Sequence, residues 1–546
     1  MINAIGPSQT GFVGTHSLSE SSLPFVSKRI NQCIASHQRC GDVKAQPLPR
    51  RIISVGLKSD KMIKLLEESQ ERARYACLSH CWGNTESIKT TRENLNDHRI
   101  RIPWEHLPKL YHDVITFCWE LEIQYLWIDA FCIIQDDTND WEEGSSKMAT
   151  IYENSYVTIA ATSAHNHDSR CTTQLAPEHH WREVGRICQT KLSTSFPILM
   201  RATLPHPAEL TMNIPRADNR VMYPLLSRAW AYQERILSPR VIHFLHNELM
   251  WECRHGLECE CQDLTPSSIT SRSYVRTKNI DAASLEKLCG KDDCTCGKSQ
   301  KWGRILEGYV NLGLTVPGDK LPAVSGLARR LQGPQQDRYL AGISESDLPA
   351  ALFWLPPHPG ASRGCLPRSE PLVAPTWSWA SISRSRVFAP LENACSGRKK
   401  RFPVHVESIN VKPRTVNAYG PVNSDATIVI SGALDSGLLR YGSHRHIFMN
   451  PKTGIRIEFD PDYDLCCPGQ YHVPEDAALV CVYQDYHIQC DGSAGSLYVL
   501  ILRRVDEPCL RYERVGMAYF GSSHSRFRYI EATALVYSRR EIITLS

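Results

Sequence analysis

Between residues 75 and 162, three short apolar runs alternate with two stretches of helical period, and no other feature narrows the fold as far. YACLSHCWG (75–83) reads as a buried strand closed by a tight turn. Leu107, Leu110, Val114, Cys118 and Leu121 then fall three or four apart, which lines one face of an amphipathic helix. IQYLWID (123–129) returns to strand character, and Trp141, Met148, Ile151 and Tyr152 return to helical spacing. YVTIAAT (156–162) is β-branched again. Parallel neighbours need long, right-handed crossovers that are usually helical, so this order predicts an α/β domain with a mostly parallel sheet flanked by helices. Its predicted strands are 75–79, 125–128 and 156–160, all buried.

Sheets of this kind bind ligands beyond the carboxyl ends of their strands. Ser79, followed by His80, lies at one such end and Asp129 at another. An aspartate there can do chemistry, or it can cap the next turn by accepting backbone N–H groups; position alone leaves both open. The acidic run 136–140 reads as a turn and a helix N-terminus, where carboxylates cap and meet the helix dipole. A Cys–His nucleophile at 80–81 is disfavoured, because adjacent strand residues point to opposite faces. Cys81 and Cys132 read as buried core thiols.

Further along, residues 227–253 read as a helix followed by two short strands. Glu234 lies on that helix, between a solvated role, a buried ion pair with an arginine and a site role. A Pro-rich loop at 355–375 suggests a boundary, and from about residue 400 short apolar runs such as TIVISG, AALVCVY and LYVLILRR give a β-rich region. The expected division is a polar, irregular arm (1–50), the α/β domain (51–250), a Cys-rich segment (251–300), a helical and Pro-rich connection (301–390) and the β-rich remainder (391–546).

Composition excludes more than it assigns. With 62 basic against 58 acidic residues, the net charge of +4 supplies no strong field for nucleic acid or membrane. The basic cluster GRKKR (397–401) reads as a solvated loop. No apolar window reaches about 18 residues. The first twenty residues lack a signal-peptide pattern, and there is no Asn-x-Ser/Thr site, so a cytoplasmic location is expected. The 21 cysteines are then reduced thiols or metal ligands. Cys259 and Cys261 with Cys294 and Cys296 form two Cys-x-Cys pairs, a candidate structural zinc set with tighter spacing than usual. There is no Gly-rich phosphate loop and no HExxH.

The ordered set YACLSHCWG, LPKLYHDVI, YLWIDAFCIIQDDTNDW, MATIYENSYVTIAA and LLSRAWAYQERILSPRVIHF, about residues 75–237, resembles the fungal heterokaryon incompatibility (HET) domain. LPRRIISVG before it and APTWSWAS after it agree. The resemblance implies a TIR-like α/β fold and an intracellular effector of non-self recognition, whose activation on fusion of incompatible hyphae leads to programmed cell death. It implies protein partners in an incompatibility pathway, self-association among them, and neither nucleic acid nor membrane. Because some TIR-like proteins cleave NAD, it also implies a second reading: a hydrolase of NAD or another nucleotide, with Ser79, Asp129 and Glu234 around its cleft. Against that reading, the family's helix glutamate, three residues beyond the tryptophan and four before the methionine, falls on Gly144. Glu142 and Glu143 are out of phase at about 100° per residue. A third reading is a zinc-stapled interaction protein without chemistry of its own.

Overall fold

Short, largely apolar runs become strands buried on both faces, and four of them lie at the centre of an eight-stranded sheet. The computed structural model describes residues 22–41, 44–83, 88–171, 175–189, 194–202, 204, 206–207, 219–264, 278–280, 296–333, 337–355, 368, 372–382, 403–442, 445–466, 471–487, 495–506, 511–521 and 539–546. The chain divides into two units, Met1–Asn279 and Ile280–Ser546.

The first unit carries helices α1 (Ser22–Ser36), α2 (Lys109–Glu120), α3 (Thr138–Glu153) and α4 (Ala229–Leu237). Its main sheet is built from β1 (Arg51–Ser54), β2 (Lys64–Glu67), β3 (Tyr75–Ser79), β4 (Tyr125–Trp127), β5 (Val157–Ala160), β6 (Arg240–Phe244), β7 (Leu249–Cys253) and β8 (Gly256–Cys259). The spatial order is β8-β7-β6-β5-β3-β4-β1-β2. The three strands read from sequence fall in the centre and are parallel: β3 pairs with β4 from Tyr75↔Tyr125 and with β5 from Ala76↔Val157. β6 joins them in parallel.

The sheet is mixed, which corrects the mostly parallel expectation. Pairs β6–β7, β7–β8, β4–β1 and β1–β2 are antiparallel. For β6–β7 and β7–β8 the reason is connection length: residues 245–248 and 254–255 are too short for a crossover, so the chain folds back as hairpins. The arm is not irregular throughout either. α1 buries Val26, Ile30 and Cys33, spaced four and three apart, against the core that holds Trp251 and Cys253.

A buried ion pair joins the outer strands to the helical layer. Arg51 Nη1 on β1 donates to Asp140 Oδ2 at 2.8 Å and to the Cys132 carbonyl at 2.9 Å. Asp140 Oδ2 also accepts the Ile134 N–H at 2.8 Å. The acidic run thus divides in role: Asp137 caps α3 by accepting from Asn139 and Asp140 N–H groups, while Asp140 turns inward.

In the second unit, six strands close into a ring: Thr427–Arg440, His446–Met449, Arg456–Pro461, Arg511–Gly521, Gly495–Asp506 and Ala478–His487, the last pairing back onto the first. Inside it lie Phe448, Ile457, Phe459, Leu479, Tyr483, Val499 and Val515, bearing out the β-rich expectation. On the strand Arg511–Gly521, Arg514 is buried, pairs with Asp462 at 2.8 Å and lies 3.4 Å from the centre of the Trp354 ring. Among the described residues no helix is long and apolar enough to cross a membrane.

Trp127, at the end of β4, is 2% exposed and meets Tyr152 edge to face at 5.6 Å. Trp127→Ala is expected to lower stability by about 3–5 kcal/mol in equilibrium denaturation.

Candidate functional site

Parallel pairing aligns the carboxyl ends of β3, β4 and β5, so Ser79, Asp129 and Ala160 arrive on the same side of the sheet. α4 then lays Glu234 over the end of β3. Ser79 Oγ donates to Glu234 Oε2 at 2.5 Å, and both residues are buried. Of the roles open to Glu234 in the sequence, the solvated one is excluded.

Asp129 is placed by the strand before it and fixed by two donors. Its Oδ1 accepts the Ala130 N–H and its Oδ2 accepts the Trp82 indole N–H, each at 2.8 Å. Its bond to Trp82 ties β4 to the turn after β3, while the N–H it accepts is only that of its immediate neighbour. That turn is sharp: Gly83 has φ +75°, where an added Cβ would collide with Asn166. Trp82 is half-buried and packs against the core. With its side chain 25% exposed, Asp129 is the open member of the cluster.

His80 bridges the two halves. Its Nδ1 is 3.9 Å from Asp129 Oδ1, its Nε2 is 3.1 Å from the Tyr111 hydroxyl, and its carbonyl accepts from Arg228 at 3.1 Å. Burial holds the imidazole pKa down to about 4, so it is neutral near pH 7. Burial acts the opposite way on Glu234, raising its carboxyl pKa to about 7 with help from the Asp129 charge, against Ser79, Arg228 and Tyr152. Burial pushes the Cys132 thiol up to about 12 and the Cys81 thiol up as well, which disfavours a thiolate nucleophile.

Behind Ser79 lies a second polar group that the sequence reading missed. Glu252 accepts from Lys278, sits 3.0 Å from His243 Nε2, and His243 Nδ1 is 2.9 Å from Thr162 Oγ1. Ser79, Thr158, Arg235 and His243 line a cavity of about 10 Å³ between the two groups, room for about one water. The available signal was a titratable residue, His243 or Glu252, inside each of the apolar runs RVIHF and LMWEC. Larger spaces lie elsewhere. One of about 250 Å³ beyond β5 and β6 is lined by Ser163, His165, Arg170 and His246. One of about 390 Å³ is lined by Arg51, Trp127, Asp140 and Gly144.

Two clusters could hold a metal ion, each with four ligand atoms within 4.8 Å of one another. Cys259 and Cys261 meet His206 and Glu248; their expected partners Cys294 and Cys296 lie outside the described side chains. Cys261 Sγ is 3.1 Å from Cys259 Sγ and 3.4 Å from His206 Nε2. Cys33, His37, Cys40 and Cys253 form the other cluster.

A mixed α/β domain with a buried acid–hydroxyl pair at its parallel strand ends is the class that fold and site define. Residues 75–234 match the family model described as Heterokaryon incompatibility protein (HET), so the chain carries a HET domain over somewhat less than a third of its length. The domain implies involvement in heterokaryon incompatibility. No curated protein and no solved structure matches the chain.

The opposed pKa directions give a test. An acid whose folded pKa lies above its unfolded value stabilises most at low pH and loses that contribution as pH rises, here between about 4.5 and 7. His80 runs the other way: its burial penalty fades as pH rises from about 4 to 6.5. The two oppose each other, so comparison with Glu234→Gln, which keeps an accepting oxygen for Ser79, isolates the carboxyl. The variant should match wild type near pH 4 and exceed it above pH 7 by roughly 3 kcal/mol in urea denaturation.

Proposed function

We propose that the protein is a cytoplasmic effector of fungal non-self recognition that promotes programmed cell death through its HET domain. The observation that carries this reading is the cluster Ser79, His80, Trp82, Asp129 and Glu234, which lies wholly within the family-matching span and gathers charge where a sheet otherwise needs none. A purely structural set of caps would not bury a carboxyl near neutrality beside a second acid. Protein partners of an incompatibility pathway, or a second copy, act on this cluster, and the near-balanced charge argues against nucleic acid. The buried, free thiols of the first unit suit a reducing compartment. A structural zinc on Cys259, Cys261, His206 and Glu248 belongs to the same reading, supported by their proximity.

A second reading, a TIR-like hydrolase of NAD or another nucleotide, is favoured by one feature: Glu234, raised to about 7 and bonded to Ser79, has the poise of an acid–base group. The roughly 10 Å³ beside Ser79 does not admit a nucleotide without movement, and for that reason the effector reading leads.

Expression of the full chain in a fungal host should cause growth arrest and death. Asp129→Asn, which keeps one of the two accepting oxygens that Ala130 and Trp82 use and loses the charge, should abolish killing at unchanged protein level and circular dichroism. Full killing by the Asn variant would reduce Asp129 to a cap. Purified protein incubated with NAD separates the readings, since the effector reading expects no consumption.

A further inference from the structure

We propose that Cys33, His37, Cys40 and Cys253 form a structural zinc site that staples the N-terminal helix to the edge hairpin of the HET-domain sheet. Three of these residues come from one short segment, spaced Cys-x3-His-x2-Cys, and the fourth from a strand more than two hundred positions later. Two close ligand groups from separate segments are how tetrahedral zinc sites are assembled, and Cys3His is one of the common donor sets.

Local structure explains how the segment presents them. α1 ends at Ser36, with Cys33 in its last turn; a 3-10 turn over Gln38–Cys40 then brings Cys40 round. Backbone bonds fix that path: His37 N–H to the Cys33 carbonyl at 3.0 Å and Cys40 N–H to the His37 carbonyl at 2.9 Å. Cys253 is the last residue of β7, before the turn into β8. The three thiols are at most 2% exposed. His37 Nδ1 lies 3.5 Å from Cys253 Sγ, and the ring is held by stacking on His255 at 4.1 Å.

The distances suit an ion. Zn–S bonds of about 2.3 Å and Zn–N bonds of about 2.0 Å require ligand atoms about 3.5–3.8 Å apart in a tetrahedron. Here all four lie within 4.8 Å, so side-chain adjustments of under an ångström close the shell. Three thiolates and a neutral imidazole leave one net negative charge on the zinc complex. Arg240 donates to the Cys40 and Gly41 carbonyls, each at 3.4 Å, and Arg254 donates to the Arg39 carbonyl at 3.1 Å. Those guanidiniums anchor the loop and offset that charge. A disulfide would use two of the thiols and leave the third sulfur and the imidazole crowded without a role; zinc uses all four.

The test is zinc content per chain in the full-length protein, purified under reducing conditions without chelator and measured by plasma mass spectrometry. Cys33→Ser and Cys40→Ser should each lose one zinc equivalent relative to wild type, while His37→Cys, which supplies a fourth thiolate, should keep it. Cys261→Ser should leave this equivalent in place, which separates the site from the neighbouring Cys259 cluster. Limited proteolysis after chelation should release the α1 segment first. Zinc content unchanged in Cys33→Ser and Cys40→Ser overturns the proposal, as does a disulfide among Cys33, Cys40 and Cys253 in the wild-type protein. If the serine variants do not fold, cobalt-reloaded wild type and His37→Cys decide. A ligand-field spectrum that shifts between the two supports the site, and identical spectra overturn it.

Discussion

The burial of one carboxyl group, Glu234 against the Ser79 hydroxyl, is the constraint around which the HET domain is organised. A carboxylate in an apolar interior is costly unless its oxygens are met by donors, so its partners must be held to a few tenths of an ångström. Ser79 ends the central strand β3, and Glu234 sits on α4, whose C-terminal end runs directly into β6. The bond at 2.5 Å therefore closes a loop of more than 150 residues, within which fall β4, α3 and β5. Moving any of these strands along its axis would part the pair, so sheet register and site geometry are one constraint.

This explains why the matched span does not make a complete sheet by itself. Residues 75–234 contain β3, β4, β5 and α4, yet β5 takes its outer neighbour from β6 and β4 takes its own from β1. Without these flanks both edges would present unpaired backbone groups. On the β1 side the Arg51–Asp140 pair locks the added strand to α3, and removing either partner would leave the other as a buried charge. On the β6 side, Glu252, Lys278 and His243 form a second buried polar group, with α1 packed further out. The flanks thus carry their own electrostatic fastenings, each built from residues distant in sequence.

What the sequence disclosed follows from this division. The three parallel strands were legible because strands buried on both faces are near-continuous apolar runs, and the helices between them because of their three-four spacing. Asp129 and Ser79 were legible as strand ends. The antiparallel flanks were not, because strand direction is set by the connections and the tertiary pairing and leaves no mark in the strand itself. Glu234 was left between a solvated role, a buried ion pair and a site role because a helix rich in Gln, Glu and Arg looks solvated; only the sheet that covers it makes it interior. Cys33 and Cys40 were visible and unassignable for the same reason, since the hairpin that completes their cluster comes two hundred residues later.

Gly144 brings these strands of argument together. The family pattern places a glutamate at this turn of α3, and here a Cβ would come 3.0 Å from Ile133 Cγ1, so even alanine needs that side chain to yield. Ile133 is held where it is because its neighbours Cys132 and Ile134 are bound, through carbonyl and N–H, to Arg51 and Asp140. The space beside the glycine is instead a cavity of about 390 Å³ walled by Arg51, Asp140 and Trp127. A carboxylate on that wall is already placed at position 140, one turn before the glycine, where Arg51 pairs with it. The acids that the structure does gather are Asp129 and Glu234, where a Trp indole, a serine hydroxyl and the Ala130 N–H meet the carboxyl oxygens. Loss of the helix glutamate and retention of the strand-end acids are then compatible within one fold, because different elements fix the two positions.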